Sequence, residues 1–338
     1  MASTDSSRRL SIEVTKRCNS SCIHCFAGAS ENDSTEIAYE VLKNIIIDGA
    51  DAGYRHLHLT GGEPLLYENI FEVIDTALEK GYQTILLNTN GMLLNGRMCQ
   101  KLAQYPELTI SVSLEGSEVL HDYFRGNGTY QRAIKGLETG LEAGLEVIIF
   151  TIVCKSLLPE LPRFADQLFT SFQGIKYLTL IRPIDSAPIN SIFGKELLSP
   201  DEFLNLVRAI SLLNLYGRPT TLLTDPLINV VARMLAISWI PESKELHQQG
   251  NLMVMADRSL SVSHTSDAYC GQYGSASIEN VLSYDPYRQA VAPDKLICPA
   301  CQYAQICHDN GLLRPVDGHA LGPIDSHFCK AVLDLVST

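Results

Sequence analysis

Apolar positions in the first half of the chain follow two alternating rhythms. Short runs rich in leucine and β-branched residues predict strands at about 10–14, 56–60, 82–87, 108–114, 145–153 and 175–182. Between them, apolar residues recur at helical spacing, as at Ile37, Val41, Ile45 and Ile46. These predict helices over about 35–53, 67–80, 94–104, 130–143 and 158–171. Regular alternation of strand and helix implies a parallel sheet with right-handed crossovers. The fold class expected is α/β, a partial barrel of six βα units. A dinucleotide-binding sheet would share the periodicity, but no G-x-G-x-x-G follows the first strand.

The rhythm changes after about residue 183. Pro183 to Pro200 is rich in turn formers, and a helix is expected over about 200–215. Residues 218–245 are mixed and hold the only tryptophan, Trp239. From about 246, short strands, glycines and cysteines replace the helical pattern. The expected organisation is a disordered segment at 1–9, a barrel at 10–183, a linking helical segment at 184–245 and a small cysteine-rich domain at 246–338.

Composition narrows this picture. A chain of 338 residues, 46% hydrophobic and 19% charged, can bury a normal core. No apolar run is long enough to span a membrane, and Met1 to Arg9 lacks the apolar stretch of a secretory signal. A cytoplasmic location is therefore expected, with no membrane partner. Ten cysteines in a reducing compartment point to metal or redox roles rather than disulfides. The net charge of −12 disfavours nucleic acid, and Lys155, Arg163 and Lys176 are too scattered to form a basic patch.

Three of those cysteines carry the most information. Cys18, Cys22 and Cys25 stand in C-x3-C-x2-C spacing just after the first strand. Three thiolates on one loop can hold three irons of a [4Fe–4S] cube, leaving the fourth iron open to bind a small molecule. Zinc is a poorer match, since it wants four ligands, and His24 is awkwardly adjacent to Cys25. The second strand runs directly into Gly61-Gly62-Glu63-Pro64. The two glycines allow close backbone approach, and Glu63 and Pro64 fix the exit. Alone, this run reads equally well as an ordinary strand-end turn.

Together the two motifs closely resemble the signatures of the radical S-adenosylmethionine (SAM) enzymes, including the aromatic His24 before the third cysteine. The resemblance implies that the open iron chelates SAM through its amino and carboxylate groups. Electron transfer then cleaves SAM to a 5'-deoxyadenosyl radical that abstracts hydrogen from substrate. It also implies that Gly61, Gly62, Glu63 and Pro64 meet the SAM amino group.

In parallel barrels, functional groups gather at the C-terminal ends of strands. That rule adds Asn90, in the turn Asn88 to Gly91, and Ser113 with Glu115. The segment from Ser113 through His121 to Gly126 resembles the family region in which a serine meets the SAM ribose and an arginine pairs its carboxylate. Those roles fall to Ser113 and Arg125. The rival readings are that Ser113 packs and that Arg125 pairs with Glu115.

A second set, Cys298, Cys301 and Cys307 in C-x2-C-x5-C followed by Cys329, resembles the SPASM extension of the same family. The resemblance implies a second, auxiliary [4Fe–4S] cluster on these four. Family cysteines for an inner cluster have no counterpart near Gly311, in the run from His247 to Gly250, or from Arg258 through Ser263. A structural zinc on the four thiolates is the alternative.

Of the remaining thiols, Cys99 reads as packing, while Cys154 or Cys270 is a candidate hydrogen-atom donor to a substrate radical. Glu115, Asp122 and Asp185 are candidate substrate bases, and His56 reads as structural. The functional expectation is a radical SAM enzyme modifying a peptide or protein, served by a reducing partner such as flavodoxin or ferredoxin. A barrel that begins near Met1 leaves no expected leader-binding domain, which keeps a tetrapyrrole or other small-molecule substrate as the alternative. A non-catalytic iron–sulfur carrier or scaffold is the alternative of another class.

Overall fold

A computed structural model describes residues 8–183, 193–216, 220–243, 250–262, 269–275, 277–290, 302–307 and 326–337. The first half is a βα series: β1 (Arg9–Glu13), α1 (Tyr39–Asp51), β2 (His56–Thr60), α2 (Ile70–Glu79), β3 (Thr84–Thr89), α3 (Gly96–Leu102) and β4 (Leu108–Ser113). It continues through α4 (Glu118–Arg125), α5 (Thr129–Glu142), β5 (Glu146–Ile152), α6 (Leu161–Ser171) and β6 (Ile175–Ile181). Strands β1 to β6 pair in sequence order and all in parallel, which is the partial barrel that the periodicity implies. One face of each strand packs its apolar residues, such as Leu57, Leu59, Ile85 and Leu87, into a common core.

The sheet does not stop at six strands. After α7 (Pro200–Tyr216), β7 (Thr220–Leu223) adds in parallel to β6 and leads into α8 (Leu227–Met234). Near the other end of the chain, β8 (Leu252–Val254) adds in parallel to β1, and β9 (Ser259–Ser261) and β10 (Gly271–Gln272) follow antiparallel. The Glu13 carboxylate accepts the Ala256 N–H at 2.9 Å, and the Asn251 side chain accepts the Arg9 N–H at 2.8 Å. Tyr287, on α10 (Asp285–Ala290) just after α9 (Ile278–Ser283), donates to the Asn251 carbonyl and accepts from the Gly250 N–H. The tail thus shares the sheet of the barrel.

Two more helices carry tail cysteines. Cys307 ends α11 (Ala304–Cys307), which packs on α8. Cys329 lies in α12 (Ser326–Ser337), which packs on α7 and α8. Phe328 meets Phe203 edge-on at 5.8 Å, and the Arg182 guanidinium covers Phe328 at 4.8 Å. Cys298, Cys301, Asp185 and residues 247–249, 263 and 311 lie outside the described residues.

Several boundaries differ from the periodicity, for identifiable reasons. Residues 35–37 are extended instead of helical, because the backbone of Val14 to Lys16 needs partners there. Lys16 N–H donates to the Thr35 carbonyl at 2.8 Å and Ile37 N–H to the Val14 carbonyl at 3.0 Å. Helix α4 was not expected from the pattern. Ser117 caps its first turn through Leu120 N–H, and Gly126, at φ 108°, ends it. Asn88 and Thr89 belong to β3 and not to a turn, since Glu63 holds the strand end.

That carboxylate is fully buried and joins two strand ends. One oxygen accepts from Leu65 N–H at 3.1 Å and from the Thr89 hydroxyl at 2.8 Å. The other accepts from Asn90 N–H at 2.8 Å. The next turn is pinned from outside: a Cβ on Gly136 of α5 would stand 2.0 Å from the Gly91 carbonyl oxygen.

Two stability effects follow. Gly136→Ala forces α5 off the turn and should cost about 1–3 kcal/mol in denaturant unfolding, the range for overpacking. Glu63→Gln keeps only one carbonyl acceptor for three donors and should cost about 1–3 kcal/mol. Burial pushes Glu63 up to about 7 from an ordinary 4.5, against the pull of its three donors. A raised folded-state pKa gives stability that is complete below the ordinary value and is lost as pH rises through about 7. The wild type should therefore lose stability relative to Glu63→Gln between about pH 5 and pH 8. A pH-independent difference between the two chains would contradict that assignment.

Candidate active site

The cluster loop grows out of β1. Its stem, Thr15 to Arg17, lies against the glycine pair, with Gly62 N–H donating to the Thr15 carbonyl at 2.7 Å and Glu63 N–H to the Arg17 carbonyl at 2.9 Å. A Cβ on Gly62 would stand 2.4 Å from the Arg17 oxygen, and one on Gly61 2.5 Å from the Thr15 oxygen. Only glycine permits this approach. On the other side, Cys18 N–H donates to the Ser30 carbonyl at 3.0 Å.

The far end of the loop is held by α4. Ile23 N–H donates to the Phe124 carbonyl at 2.9 Å, and the Ser20 hydroxyl donates to the Arg125 carbonyl at 2.9 Å. These are carbonyls that a helix C-terminus leaves without an internal partner. The Asn90 amide spans the gap to β3, donating to the Asn19 side chain at 2.7 Å, while its oxygen accepts Met92 N–H at 3.0 Å.

Cys18, Cys22 and Cys25 line one cavity of about 200 Å³. Gly61, Gly62, Asn90, Ser113, Arg125 and His24 line the same cavity, so most of the residues singled out by the sequence meet there. Glu63 sits beneath it, fully buried, and Pro64 starts a short 3-10 turn. Asn88, the first residue of the expected turn Asn88 to Gly91, also lines it, as do Ile152 and Ser20, which were not singled out. The strand-end rule would have found Ile152, and a position between two cysteines would have found Ser20. A larger groove of about 1190 Å³ between α6 and α7 contains none of the cysteines.

Beside the cavity lies a buried charge set. Arg125 places Nε at 3.0 Å and Nη2 at 2.6 Å from one oxygen of Glu115. The other Glu115 oxygen accepts Ile152 N–H at 2.8 Å. Burial opposes ionisation of Glu115, but Arg125 and His24 hold its carboxyl below the ordinary range. Burial likewise works against the Arg125 charge, and Glu115 with the Cys22 sulfur more than offsets it, so the guanidinium is raised. Burial lowers His24, whose Nε2 lies 3.6 Å from Glu115 and whose ring packs at 5.7 Å from Phe124 and 5.4 Å from Phe193. Burial and Arg125 push His121 down to about 4, leaving a neutral ring whose Nδ1 accepts Glu115 N–H at 3.2 Å.

The other candidates sit elsewhere. Cys154 is buried below Glu196, its thiol raised chiefly by burial, and does not line the cavity. Cys270 is buried beside β9, its N–H on the Leu260 carbonyl, with burial pushing the thiol up to about 11. Asp122 caps the turn before α5, accepting Gly128 and Tyr130 N–H. Cys99 is fully buried in α3, and His56 bonds Thr84 at 2.8 Å.

The chemistry of the donors bears on the metal. Three cysteine sulfurs on one cavity wall are one ligand short of the four that a structural zinc takes. A [4Fe–4S] cube can be held by three thiolates, each on a separate iron. Burial pushes the Cys18 thiol up to about 12, so a metal must drive off its proton, as thiolate ligation does. Cys18, Cys22 and Cys25 fit a three-thiolate [4Fe–4S] site.

Comparison with known proteins agrees with this geometry. Residues 12–159 match the Radical SAM superfamily model. An Fe-coproporphyrin III synthase of Methanosarcina barkeri is 32% identical over 157 residues, 46% of this chain and 39% of that protein. An AdoMet-dependent heme synthase of the same organism is 33% identical over 166 residues, 48% of this chain and 47% of the other. The mycofactocin maturase MftC of Mycolicibacterium smegmatis is 27% identical over 176 residues, 52% of this chain and 44% of the other. The matched stretch therefore spans less than half the length of these three relatives. Among solved structures, native anSMEcpe with bound AdoMet superposes with a TM-score of 0.72 at 15% identity, covering 97% of this chain and 99% of that one. Streptococcus suis SuiB does so at 0.71 and 16%, covering 92% and 77%. These two likenesses bear on the fold. The cysteine loop, the glycine strand end and the matched sequence agree: this chain carries a domain of the radical SAM superfamily, whose enzymes bind a [4Fe–4S] cluster and SAM.

Proposed function

We propose that this chain is an enzyme that cleaves SAM reductively and modifies a peptide or protein. The observation that carries the reading is the meeting of Cys18, Cys22 and Cys25 with Gly61 and Gly62 around one cavity. Bound to the three sulfurs, a [4Fe–4S] cluster would supply the electron that converts SAM to a 5'-deoxyadenosyl radical. The chain's own residues then have distinct tasks. Gly61 and Gly62 bring backbone polar groups beside the cluster loop for the SAM amino group. Ser113, on the cavity wall at the end of β4, takes the ribose. Arg125 retains N–H groups beyond those given to Glu115, and these can take the SAM carboxylate. Neutral His24 and its phenylalanine neighbours Phe124 and Phe193 exclude water from one side.

A peptide substrate is supported by the likeness to the maturase MftC and by two fold neighbours with bound peptides, anSMEcpe and SuiB with its precursor SuiA. The second reading, a tetrapyrrole substrate, is favoured by the 32% and 33% identity to coproporphyrin and heme synthases. The auxiliary cluster on Cys298, Cys301, Cys307 and Cys329 belongs to the proposal. Cys307 and Cys329 stand on two helices that both pack on α8. Cys154 and Cys270 remain proposed hydrogen-atom donors only if substrate binding opens their buried surroundings. Flavodoxin or ferredoxin is the proposed reductant. No described helix is long and apolar enough to cross a membrane.

Anaerobically reconstituted protein with SAM and dithionite should form 5'-deoxyadenosine, and a Cys18/Cys22/Cys25→Ala variant should form none. Absence of cleavage in the intact protein would favour an electron carrier instead. In the triple variant, about four irons per chain should remain, held by the tail. About one zinc and no iron would make the tail a structural clamp. A peptide, as opposed to a porphyrin precursor, should accelerate 5'-deoxyadenosine formation and return with altered mass.

A further inference from the structure

Arg125 does more than face the cavity. Its Nε and Nη2 both go to Glu115 Oε1, at 3.0 and 2.6 Å. That grip fixes the plane of the guanidinium and turns Nη1 to the sulfur of Cys22, at 3.8 Å. The same sulfur is 3.2 Å from the Ser20 hydroxyl. Ser20 in turn holds the carbonyl of Arg125 itself, so loop and arginine are locked to one another at both main chain and side chain. The pair is deeply buried, Glu115 2% and Arg125 12% exposed, which limits screening by water.

We propose that Arg125, oriented by Glu115, sets the reduction potential of the cluster held by Cys18, Cys22 and Cys25. The inference rests on the three-thiolate reading of that loop. Reduction adds one electron to a cluster that already carries negative thiolate charge. An N–H aimed at a ligating sulfur, on a cation with little solvent around it, stabilises the added electron and raises the potential. Glu115 acts the other way, as a counter-charge that moderates the effect while keeping Nη1 on the sulfur. The arginine is thereby a positioning and tuning residue for the electron, in addition to any contact with SAM. A guanidinium suits the task because its planar fork can serve a carboxylate and a sulfur at once, which an ammonium cannot do with the same geometry.

The test is an EPR-monitored redox titration of the reconstituted full-length protein without SAM, so that carboxylate binding does not enter. Arg125→Gln should lower the midpoint potential, and Arg125→Lys should lower it less. Glu115→Gln should raise it, because the cation is then uncompensated. The double variant should return toward the wild-type value. Opposite shifts from two partners of one ion pair are not the signature of a merely loosened structure. Should Arg125→Gln fail to hold iron, Arg125→Lys and Glu115→Gln still give opposite signs. Unchanged potentials in iron-loaded variants, with weakened SAM affinity in Arg125→Gln, would overturn the proposal and leave Arg125 a carboxylate ligand alone. A wild-type chain that takes up no iron at Cys18, Cys22 and Cys25 would overturn the cluster reading itself, a failure visible before any titration.

Discussion

The site depends on one backbone contact, the approach of the β1 stem to the glycine pair after β2. With Gly62 N–H on the Thr15 carbonyl and Glu63 N–H on the Arg17 carbonyl, the cysteine loop leaves the sheet at a fixed place. The space between the two chains admits no side chain at Gly61 or Gly62. The same turn sends the Glu63 carboxylate beneath the cavity, where it captures the end of β3. One short segment therefore sets the relative positions of three strand ends. A buried carboxylate is an expensive device. Here two backbone N–H groups and a hydroxyl satisfy it, groups that would otherwise be left unpaired at strand ends that a ligand must reach.

The opposite wall is built on charge. Glu115 and His24 are buried and Arg125 is only 12% exposed, and the three are held through one another. Glu115 neutralises the arginine and anchors it to the last residue of β5, through Ile152 N–H. Burial keeps His24 neutral, which leaves Arg125 as the charged partner of Glu115 in this set. Helix α4 contributes through its exposed C-terminal carbonyls, which take donors from the loop and leave the arginine facing the sulfur. The cysteine loop is thus held by backbone on one side and by an ion pair on the other.

Much of this was legible in the sequence, for physical reasons. Strands β1 to β6 are buried on one face and flanked by amphipathic helices, so their rhythm is local and strong. The cysteine spacing and the glycine pair are local as well. What escaped is what depends on distant partners. Residues 35–37 have helical apolar spacing, yet the open backbone of the loop stem claims them. Helix α4 is only eight residues long, about two turns, too short a stretch for helical spacing to stand out from a loop. Pairing of β8 with β1 joins residues more than 240 positions apart, and three-residue strands carry no register signal of their own. The rival reading of Arg125, a pair with Glu115, is what the structure shows, and it need not displace the cofactor role because the guanidinium has donors for both.

That distant pairing has a consequence for the reaction space. Because β8 extends the sheet from β1, the strand that launches the cysteine loop is central and not an edge. An edge strand would leave the loop stem free to fray and expose unpaired backbone beside the cysteine cavity. Glu13, at the last residue of β1, is fully buried and binds the turn after β8. The tail therefore stiffens the barrel where the cysteines emerge. On the other edge, α12 and α7 meet through Phe328, Phe203 and Arg182, and Arg182 in turn pairs with Asp225 just after β7. The chain's last helix is thereby tied to the strand ends opposite the cluster loop.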